Sequence, residues 1–325
     1  MFILNGKILP VKSNNKLLNH LAKIVAVIFI LMNIIAIFHS YKFTHFSDKD
    51  LQRTASADAL STSGKLKALL FGVDNPRPVN IEYPKAYYQT VFLRSNKEIE
   101  CWYIENSQAK GTVIIFHGYC SKKSTKLDKA ALYEKHGYNV LLVDFMGSGG
   151  SEGNQTTIGY YEAQQVKTAY DYIKSKGEKN IILSGSSMGA VAIMKAIYDH
   201  SLKPQKIILE CPFGSMYKTV CARFRSMGIP VFPMAGLLVF WGGVQNKFWA
   251  FGHNPTKYAE KVKASVLLLY GAKDDKVSRE EIDEIYTNLS GPKKIRVYPN
   301  AGHENYLKKY SREWERDVFQ FVEND

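Results

Sequence analysis

The sequence Gly185-Ser186-Ser187-Met188-Gly189 decides the fold of this chain, because it matches the pattern G-x-S-x-G in a strand-turn-helix context. The short apolar stretch 180–184 before it reads as a strand, and residues 190–198 have the length and composition of a helix. A serine at so sharp a turn takes a strained backbone conformation, which only small neighbouring residues tolerate. The context therefore predicts that Ser187 is a nucleophile at a helix N-terminus, which favours negative charge beside it.

An acid and a histidine follow Ser187 in the chain order that such a nucleophile requires. The strand predicted at 265–270 is followed by Asp274, and the strand predicted at 295–298 is followed by His303. Active sites of open α/β sheets lie just beyond the carboxyl ends of the strands. We therefore predict that His303 is the general base for Ser187 and that Asp274 orients and stabilises its imidazole.

The neighbouring Asp275 is an alternative to Asp274 as the acid. The spacing from Gly271, and Val277 three residues later, favour Asp274. An aspartate after a strand is by itself more often a turn former or a helix cap. The prediction therefore depends on the ordered combination of serine, acid and histidine.

A loop for stabilising negative charge on the substrate oxygen is predicted after the apolar strand 112–116. Acyl transfer needs two N–H groups aimed at the developing oxyanion, one from the residue after the nucleophile and one from such an earlier loop. The backbone N–H groups of Met188 and Tyr119 are the candidates, and Gly118 allows the loop to approach closely. His117 precedes Ser187 in the chain, so we interpret it as a brace for the loop rather than the catalytic base.

The rest of the sequence predicts an α/β protein with a doubly wound, mainly parallel sheet, because strands alternate with helices. The further predicted elements are a hairpin at 87–94 and 99–105, strands at 139–144 and 206–210, and a helix at about 159–174. The predicted domain, residues 81–325, is large enough for a substantial core.

These motifs resemble the α/β-hydrolase superfamily of serine hydrolases, and within it the membrane-anchored Bem46-like and serine-aminopeptidase-like branch. The matching segments are 116–118, 143–153, 185–189, 271–277 and 302–303. The resemblance implies an α/β-hydrolase fold and hydrolysis through a serine, an acid and a histidine. Relatives usually carry arginine where Met146 stands, so the resemblance does not supply the ion pair expected beneath the site.

Residues 213–253 form an apolar, aromatic segment where hydrolases of this type carry a cap over the active site. Such a cap favours substrates with acyl or other apolar portions. A helix packed into the core is the alternative interpretation. A second membrane span is disfavoured, because glycines and prolines interrupt the segment and it is short of about 20 apolar residues.

The N-terminus reads as a membrane anchor, residues 1–40, followed by a linker and amphipathic segment, residues 41–80, with its apolar positions at 66–71. Residues 21–38 are almost wholly apolar, basic residues precede them, and no acidic residue occurs before Asp48. This pattern predicts an uncleaved single-pass anchor with the catalytic domain on the non-cytoplasmic side. A cleaved signal peptide is the alternative.

The formal net charge of +13 is dispersed along the chain. Its densest cluster, Lys122, Lys123 and Lys126, is interpreted as a solvated loop, with attraction of anionic substrates as an alternative. A nucleic-acid-binding protein would show a basic stripe or a known motif, so no nucleic-acid partner is predicted. Attraction to an anionic membrane surface explains the charge more simply.

The four cysteines, Cys101, Cys120, Cys211 and Cys221, have no metal-binding spacing. If the domain is exported, a disulfide such as Cys211 with Cys221 is one hypothesis. No phosphate loop and no dinucleotide glycine pattern occurs, and we predict neither a cofactor nor a metal.

The sequence favours a membrane-anchored serine hydrolase that cleaves lipophilic carboxylic esters, in small molecules or lipids. Thioesterase, amidase and aminopeptidase activities use the same groups and remain alternatives. A non-catalytic binding protein with the same fold is a second class. The bond type and the oligomeric state are left open.

Overall fold

The computed structural model describes residues 15–48 and 61–323. Its helices are α1 (Asn15–Thr44), α2 (Thr62–Phe71), α3 (Leu127–Lys135), α4 (Glu162–Ser175), α5 (Met188–His200), α6 (Met216–Ser226), α7 (Met234–Gln245), α8 (Pro255–Ala259), α9 (Arg279–Asn288), α10 (Tyr306–Lys309) and α11 (Ser311–Glu323). Its strands are β1 (Phe46–Ser47), β2 (Asn75–Pro76), β3 (Gln89–Arg94), β4 (Glu98–Ile104), β5 (Thr112–Phe116), β6 (Asn139–Val143), β7 (Ile181–Ser186), β8 (Lys206–Glu210), β9 (Ser265–Gly271) and β10 (Lys293–Tyr298).

The main sheet has eight strands in the order β10-β9-β8-β7-β5-β6-β4-β3. The pairs from β10 to β6 are parallel, whereas β4 pairs antiparallel with both β6 and β3. The predicted hairpin at the start of the sheet and the predicted doubly wound α/β architecture are therefore confirmed. This arrangement brings the carboxyl ends of β5, β7, β8, β9 and β10 to one edge of the sheet.

The central strands are continuously apolar because helices cover both faces of the sheet. Alternate residues of β5 point to opposite faces: Ile114 packs in a cluster with α4, α5, α8 and α9, and Val113 packs in a cluster with α3 and α11. Burial on both faces excludes water from the strands and holds their carboxyl ends in fixed positions.

The segment after the predicted anchor is more ordered than a linker. Helix α1 extends past the predicted boundary at residue 40 to Thr44, and β1 pairs in parallel with β2. The N–H of Phe46 donates to Asn154 at 2.6 Å, and the N–H of Thr156 donates to Thr44 at 2.8 Å. These bonds to the catalytic domain explain why the chain does not leave the helix as a free linker. Residues 49–60 and the small-residue motif at 55–57 lie outside the described residues.

The predicted cap region forms α6, α7 and a short 3₁₀ helix at Ala250–Gly252. Cys221, Phe224 and Ala235 form a small hydrophobic cluster of their own, separate from the two clusters on the sheet. The alternative of a helix buried in the central core therefore does not describe α7 as a whole, although Val239 does join the core.

Helix α1 is long and apolar enough to cross a membrane, and 6% of its most apolar stretch is buried in the structure. Its last turns, in contrast, pack against α7. The side chain of Gln245 donates to the carbonyl oxygen of Ile37 at 2.9 Å, and Ser40 donates to Gln245 at 3.0 Å. Helix α1 thus joins the catalytic domain through the cap.

Candidate active site

Ser187 lies at the turn between β7 and α5, with φ 52° and ψ −115°. A Cβ atom on Gly189 would lie 2.6 Å from the carbonyl oxygen of Phe116, and one on Gly185 would lie 2.6 Å from the amide nitrogen of Ala190. Both glycines are therefore required by close backbone contacts, as the sequence predicted. The unusual φ of Ser187 is the backbone strain expected of a raised nucleophile.

The three predicted triad residues meet at the carboxyl edge of the sheet. His303 Nε2 lies 3.0 Å from Ser187 Oγ, and His303 Nδ1 lies 2.8 Å from Asp274 Oδ2. Asp274 has a fully buried side chain, while the side chain of His303 is 16% exposed. The arrangement places a base next to the serine hydroxyl and a carboxylate behind the base.

Asp274 is also fixed from behind by the loop that follows β9. Its Oδ1 atom accepts hydrogen bonds from the N–H groups of Lys276 at 2.8 Å and Val277 at 3.0 Å. Asp275 is exposed to solvent. The structure therefore brings Asp274, and not Asp275, to the histidine.

The predicted oxyanion groups lie on two sides of Ser187. Met188 is the first residue of α5, so its N–H belongs to the helix-terminal donors that lack intrahelical partners. On the other side, a Cβ on Gly118 would lie 3.3 Å from the carbonyl oxygen of Ser186 and 3.6 Å from Ser187 Cβ. The loop that carries Tyr119 therefore passes directly over the nucleophile turn.

His117 braces this loop, as predicted. Its Nδ1 lies 2.8 Å from the carbonyl oxygen of Gly118, and its Nε2 lies 3.0 Å from the N–H of Phe145. The two contacts assign Nδ1 as the donor and Nε2 as the acceptor of a neutral ring. Burial lowers the pKa of His117 to about 4, which agrees with a neutral structural histidine.

Comparison with known proteins identifies the fold. The model of the family described as "Serine aminopeptidase, S33" matches residues 107–247, a range that includes Ser187 and most of the cap. The esterase Pf2001 of Pyrococcus furiosus matches with a TM-score of 0.64 and 24% identity, over 77% of this chain and 97% of the esterase. The chain therefore has the α/β-hydrolase fold, and its residues 107–247 resemble the serine aminopeptidase family.

Two further similar proteins are an uncharacterized bacterial protein and a second esterase. The uncharacterized protein YqkD of Bacillus subtilis is 25% identical over 231 residues, which cover 70% of this chain and 76% of YqkD. An esterase from Exiguobacterium antarcticum shares the fold with a TM-score of 0.55 and 17% identity, over 73% of this chain and 100% of the esterase. The predicted resemblance and fold are thereby confirmed.

The structure places Cys211 beside Asp274 and His303, which sequence reasoning missed. Its Sγ, a carboxylate oxygen of Asp274 and a ring nitrogen of His303 all lie within 4.8 Å of one another. Burial lowers the pKa of His303, but Cys211 and Asp274 raise it more, so that the pKa lies above its usual range. The position of Cys211 directly after β8, at the same sheet edge as Asp274, was the signal in the sequence.

The same cluster bears on metal and disulfide chemistry. Cys211, Asp274 and His303 are the one group among residues 15–48 and 61–323 whose atoms could together hold a metal ion. Because His303 is engaged with Ser187 on one nitrogen and with Asp274 on the other, the arrangement favours the proton-transfer role. Cys211 and Cys221 are not joined to each other, so the hypothesised Cys211–Cys221 disulfide is wrong for this structure.

The lysine cluster after β5 is not the solvated loop that the sequence suggested. Lys123 is fully buried and forms ion pairs with Asp144 and, at 2.5 Å, with Glu100. The Lys123 ammonium also lies 4.2 Å from the ring centroid of Trp102. A buried charge must be paired. Met146 has no charge, and the buried cation near this site is Lys123.

A second buried ionic group supports the nucleophile turn from below. Ser186 donates to Glu210 at 2.7 Å and accepts from Lys126 at 3.1 Å. Glu210 is also paired with Lys129, and Trp314 donates to it at 2.9 Å. Burial lowers the pKa of Lys126 to about 8, and the pKa of Glu210 is lowered because Lys129 and Lys126 outweigh its burial. Lys126 and Lys129 therefore make buried structural contacts and do not belong to a solvated surface.

Two surface cavities lie away from these residues. The first cavity, of about 260 Å³, is lined by residues 75–79 and by residues from Cys120 to Thr125. The second cavity, of about 540 Å³, is lined by residues 82–86 and by residues of α3. Ser187, Asp274 and His303 line neither cavity. Ser187, Asp274 and His303 are each partly buried.

Proposed function

We propose that this protein is a membrane-anchored serine hydrolase that cleaves carboxylic esters through an acyl-enzyme on Ser187. The observation that carries the proposal is the hydrogen-bonded series from Ser187 through His303 to Asp274, at 3.0 Å and 2.8 Å. The esterases among the structural relatives support the same class of reaction.

In the first half of the reaction, His303 Nε2 removes the Ser187 hydroxyl proton as Oγ attacks the ester carbonyl carbon. The resulting oxyanion accepts hydrogen bonds from the N–H groups of Met188 and Tyr119. Asp274 stabilises the imidazolium, which then gives its proton to the departing alcohol oxygen. The carbonyl carbon remains bonded to Ser187 Oγ as an acyl-enzyme.

In the second half, a water molecule replaces the alcohol. His303 removes a proton from the water as its oxygen attacks the acyl carbonyl, and returns the proton to Ser187 Oγ as the bond to the serine breaks. The products are a carboxylic acid and the free enzyme. No group beyond the side chains and backbone of this chain is required.

Ester substrates with apolar acyl portions are favoured over peptides with a free α-amino group. The cap region, residues 213–253, contains no acidic residue that could pair with an ammonium group. Its helix α7 is built from apolar side chains, with Gln245 at its end. Aminopeptidase-like, amidase and thioesterase activities on the same triad remain the second candidates because of the family match.

The membrane anchor is α1, whose basic flank at Lys7, Lys12 and Lys16 supports a cytoplasmic N-terminus. In that orientation the catalytic domain lies on the non-cytoplasmic side. Cys211 and Cys221 form no disulfide with each other that would favour one compartment, so sidedness depends on the charge pattern. Protease protection of the intact membrane would distinguish the two orientations.

Labelling of the full-length protein in detergent with a fluorophosphonate tests the proposal. Labelling of the wild type but not of Ser187→Ala is expected, because only an activated serine reacts with the probe. Ser175→Ala is the control, because Ser175 is an exposed serine at the end of α4 and its substitution keeps Ser187. A folded wild-type protein that does not label would contradict the proposal and favour a non-catalytic binding protein. A series of esters of increasing acyl length, beside an aminoacyl amide, then distinguishes the bond types.

A further inference from the structure

The length of α1 sets how deep the protein must sit in a bilayer. Every residue from Lys16 to Leu31 is exposed, and contact with the rest of the protein begins at Met32. These 16 residues are about 24 Å long as a helix. A hydrocarbon core about 30 Å thick needs about 20 helical residues. The polar sequence at 12–16 prevents the apolar run from beginning earlier. A spanning α1 must therefore continue past Leu31 into the part that packs against the cap.

Helix α7 lies alongside this deeper part of α1. Trp241 Nε1 donates to Asn33 Oδ1 at 2.9 Å, and Asn246 donates to Thr44 Oγ1 at 3.1 Å. Later residues of α7 thus meet later residues of α1, so the two helices run in the same direction. The part of α7 before Trp241 consequently extends toward the apolar middle of α1.

The outer side of this part of the cap is apolar and exposed. It comprises Met227, Ile229, Phe232, Phe240 and Val244, and we call it the cap apolar face. Phe232, just before α7, is 86% exposed. Several exposed large apolar side chains in one short segment beside an apolar helix favour an interaction site over a water-exposed surface.

The charges of the cap favour contact with an anionic lipid surface. Residues 213–253 carry no acidic side chain and four basic ones, Lys218, Arg223, Arg225 and Lys247. Basic residues around an apolar surface are attracted to anionic headgroups while the apolar side chains enter the acyl region. The guanidinium group of Arg223, on α6, lies 4.4 Å from the ring centroid of Phe43 and 5.3 Å from that of Tyr119.

We propose that the cap apolar face is embedded in the lipid leaflet that surrounds the C-terminal part of α1. The proposal rests on the membrane anchoring included in the proposed function. It explains the polar residue within the apolar run, because Asn33 is paired with Trp241 and its own Nδ2 donates to Phe29 at 2.8 Å. An unpaired amide in hydrocarbon would cost several kcal/mol. A lipophilic ester then reaches Ser187 from the leaflet rather than from water.

Depth-dependent fluorescence quenching of the full-length protein in phosphatidylcholine–phosphatidylglycerol vesicles tests this placement. An environment-sensitive dye is attached at Phe232→Cys, with Ile28→Cys on the exposed part of α1 as the anchor reference. Phe92→Cys is the matched control, since Phe92 is an exposed phenylalanine on the edge strand β3. Labelled wild type corrects for reaction at Cys120, which is partly exposed.

Quenching by lipids with a nitroxide on the acyl chain is expected at positions 28 and 232 and at least twofold weaker at position 92. Quenching at 28 with position 232 as unquenched as 92 would overturn the cap proposal and leave the anchor intact. Absence of quenching at 28 would overturn both. Because no activity is measured, the outcome is independent of the catalytic part of the proposed function.

A second measurement tests entry from the leaflet. Phe232→Asp is expected to slow hydrolysis of a long-chain ester dissolved in the vesicles about tenfold, because a charge replaces an apolar side chain that enters the leaflet. Hydrolysis of a water-soluble acetate ester should change less than twofold, and Phe92→Asp should change neither rate. Equal losses on both esters, or no loss on either, would overturn entry from the leaflet.

Discussion

The hydroxyl group of Tyr119 donates a hydrogen bond of 2.7 Å to the carbonyl oxygen of Phe43. Their rings also stack, with centroids 4.8 Å apart. Tyr119 follows the glycine that approaches the nucleophile turn, and Phe43 lies in the last turn of α1. The end of α1 therefore contacts the loop that passes over the nucleophile turn of the candidate active site. The position of one proposed oxyanion donor is coupled to α1.

The first prediction concerns this coupling. Tyr119→Phe should lower kcat three- to tenfold with little change in KM, because one hydrogen bond contributes about 0.5–1.5 kcal/mol and fixes the loop only indirectly. Steady-state kinetics on a soluble ester measure the effect. Tyr170→Phe is the matched control, since Tyr170 also donates to a backbone carbonyl, that of Lys203 at 2.9 Å, on the distant helix α4. Equal effects of both substitutions would argue against a special role for Tyr119.

The second prediction separates the two neighbouring aspartates. Asp274→Asn should reduce kcat by about 10⁴, because the imidazole loses the carboxylate that sets its tautomer and stabilises its charge. Asp275→Asn should leave kcat within about twofold, since its side chain is exposed. The ratio of the two turnover numbers is the measurement. A large loss in the Asp275 variant alone would reverse the assignment.

The third prediction is a pH dependence. Only the neutral imidazole of His303 can accept the serine proton, so kcat/KM should rise with pH as His303 loses its proton. Because Asp274 and Cys211 raise the pKa of His303, the midpoint should lie above 6.5. Cys211→Ala should lower that midpoint, since the raising effect of the sulfur is removed.

Cys221→Ala is the control for the pH profile, because Cys221 is a buried cysteine within the cap cluster. Its midpoint should equal that of the wild type. An unchanged midpoint in Cys211→Ala would mean that Asp274 alone sets the pKa of His303.

The fourth prediction concerns the buried ions beneath the nucleophile turn. Lys129→Ala leaves the carboxylate of Glu210, 2% exposed, without its main partner, which should destabilise the fold by about 3–5 kcal/mol. For a domain of this size that corresponds to a loss of roughly 10 °C in Tm. Thermal unfolding of the full-length protein in detergent measures it.

Lys135→Ala is the control on the same helix, α3. Lys135 is 68% exposed and pairs with Glu315 at the surface, so its loss should cost less than about 1 kcal/mol. Equal Tm values for the two variants would show that Glu210 is stabilised without Lys129.

Local sequence determined the fold and most of the candidate site. The elbow at Ser187 could be predicted because its glycines, strand and helix are contiguous in the chain, and the required backbone strain restricts the residue types nearby. Asp274 and His303 could be predicted because parallel strands bring their carboxyl ends to one edge of the sheet. Each of these inferences uses only chain order and strand position.

Tertiary structure alone decided the partners that come from distant segments. Nothing in the local pattern shows that Lys123 is buried against Asp144, or that Cys211 adjoins His303, because each contact depends on how separate loops pack over the same sheet edge. The same holds for Tyr119 and Phe43, which are separated by 76 positions in the sequence. The sequence by itself determined which groups could do chemistry and that α1 is apolar. Packing decided which charges are paired, and that α1 ends against the active site rather than in a linker.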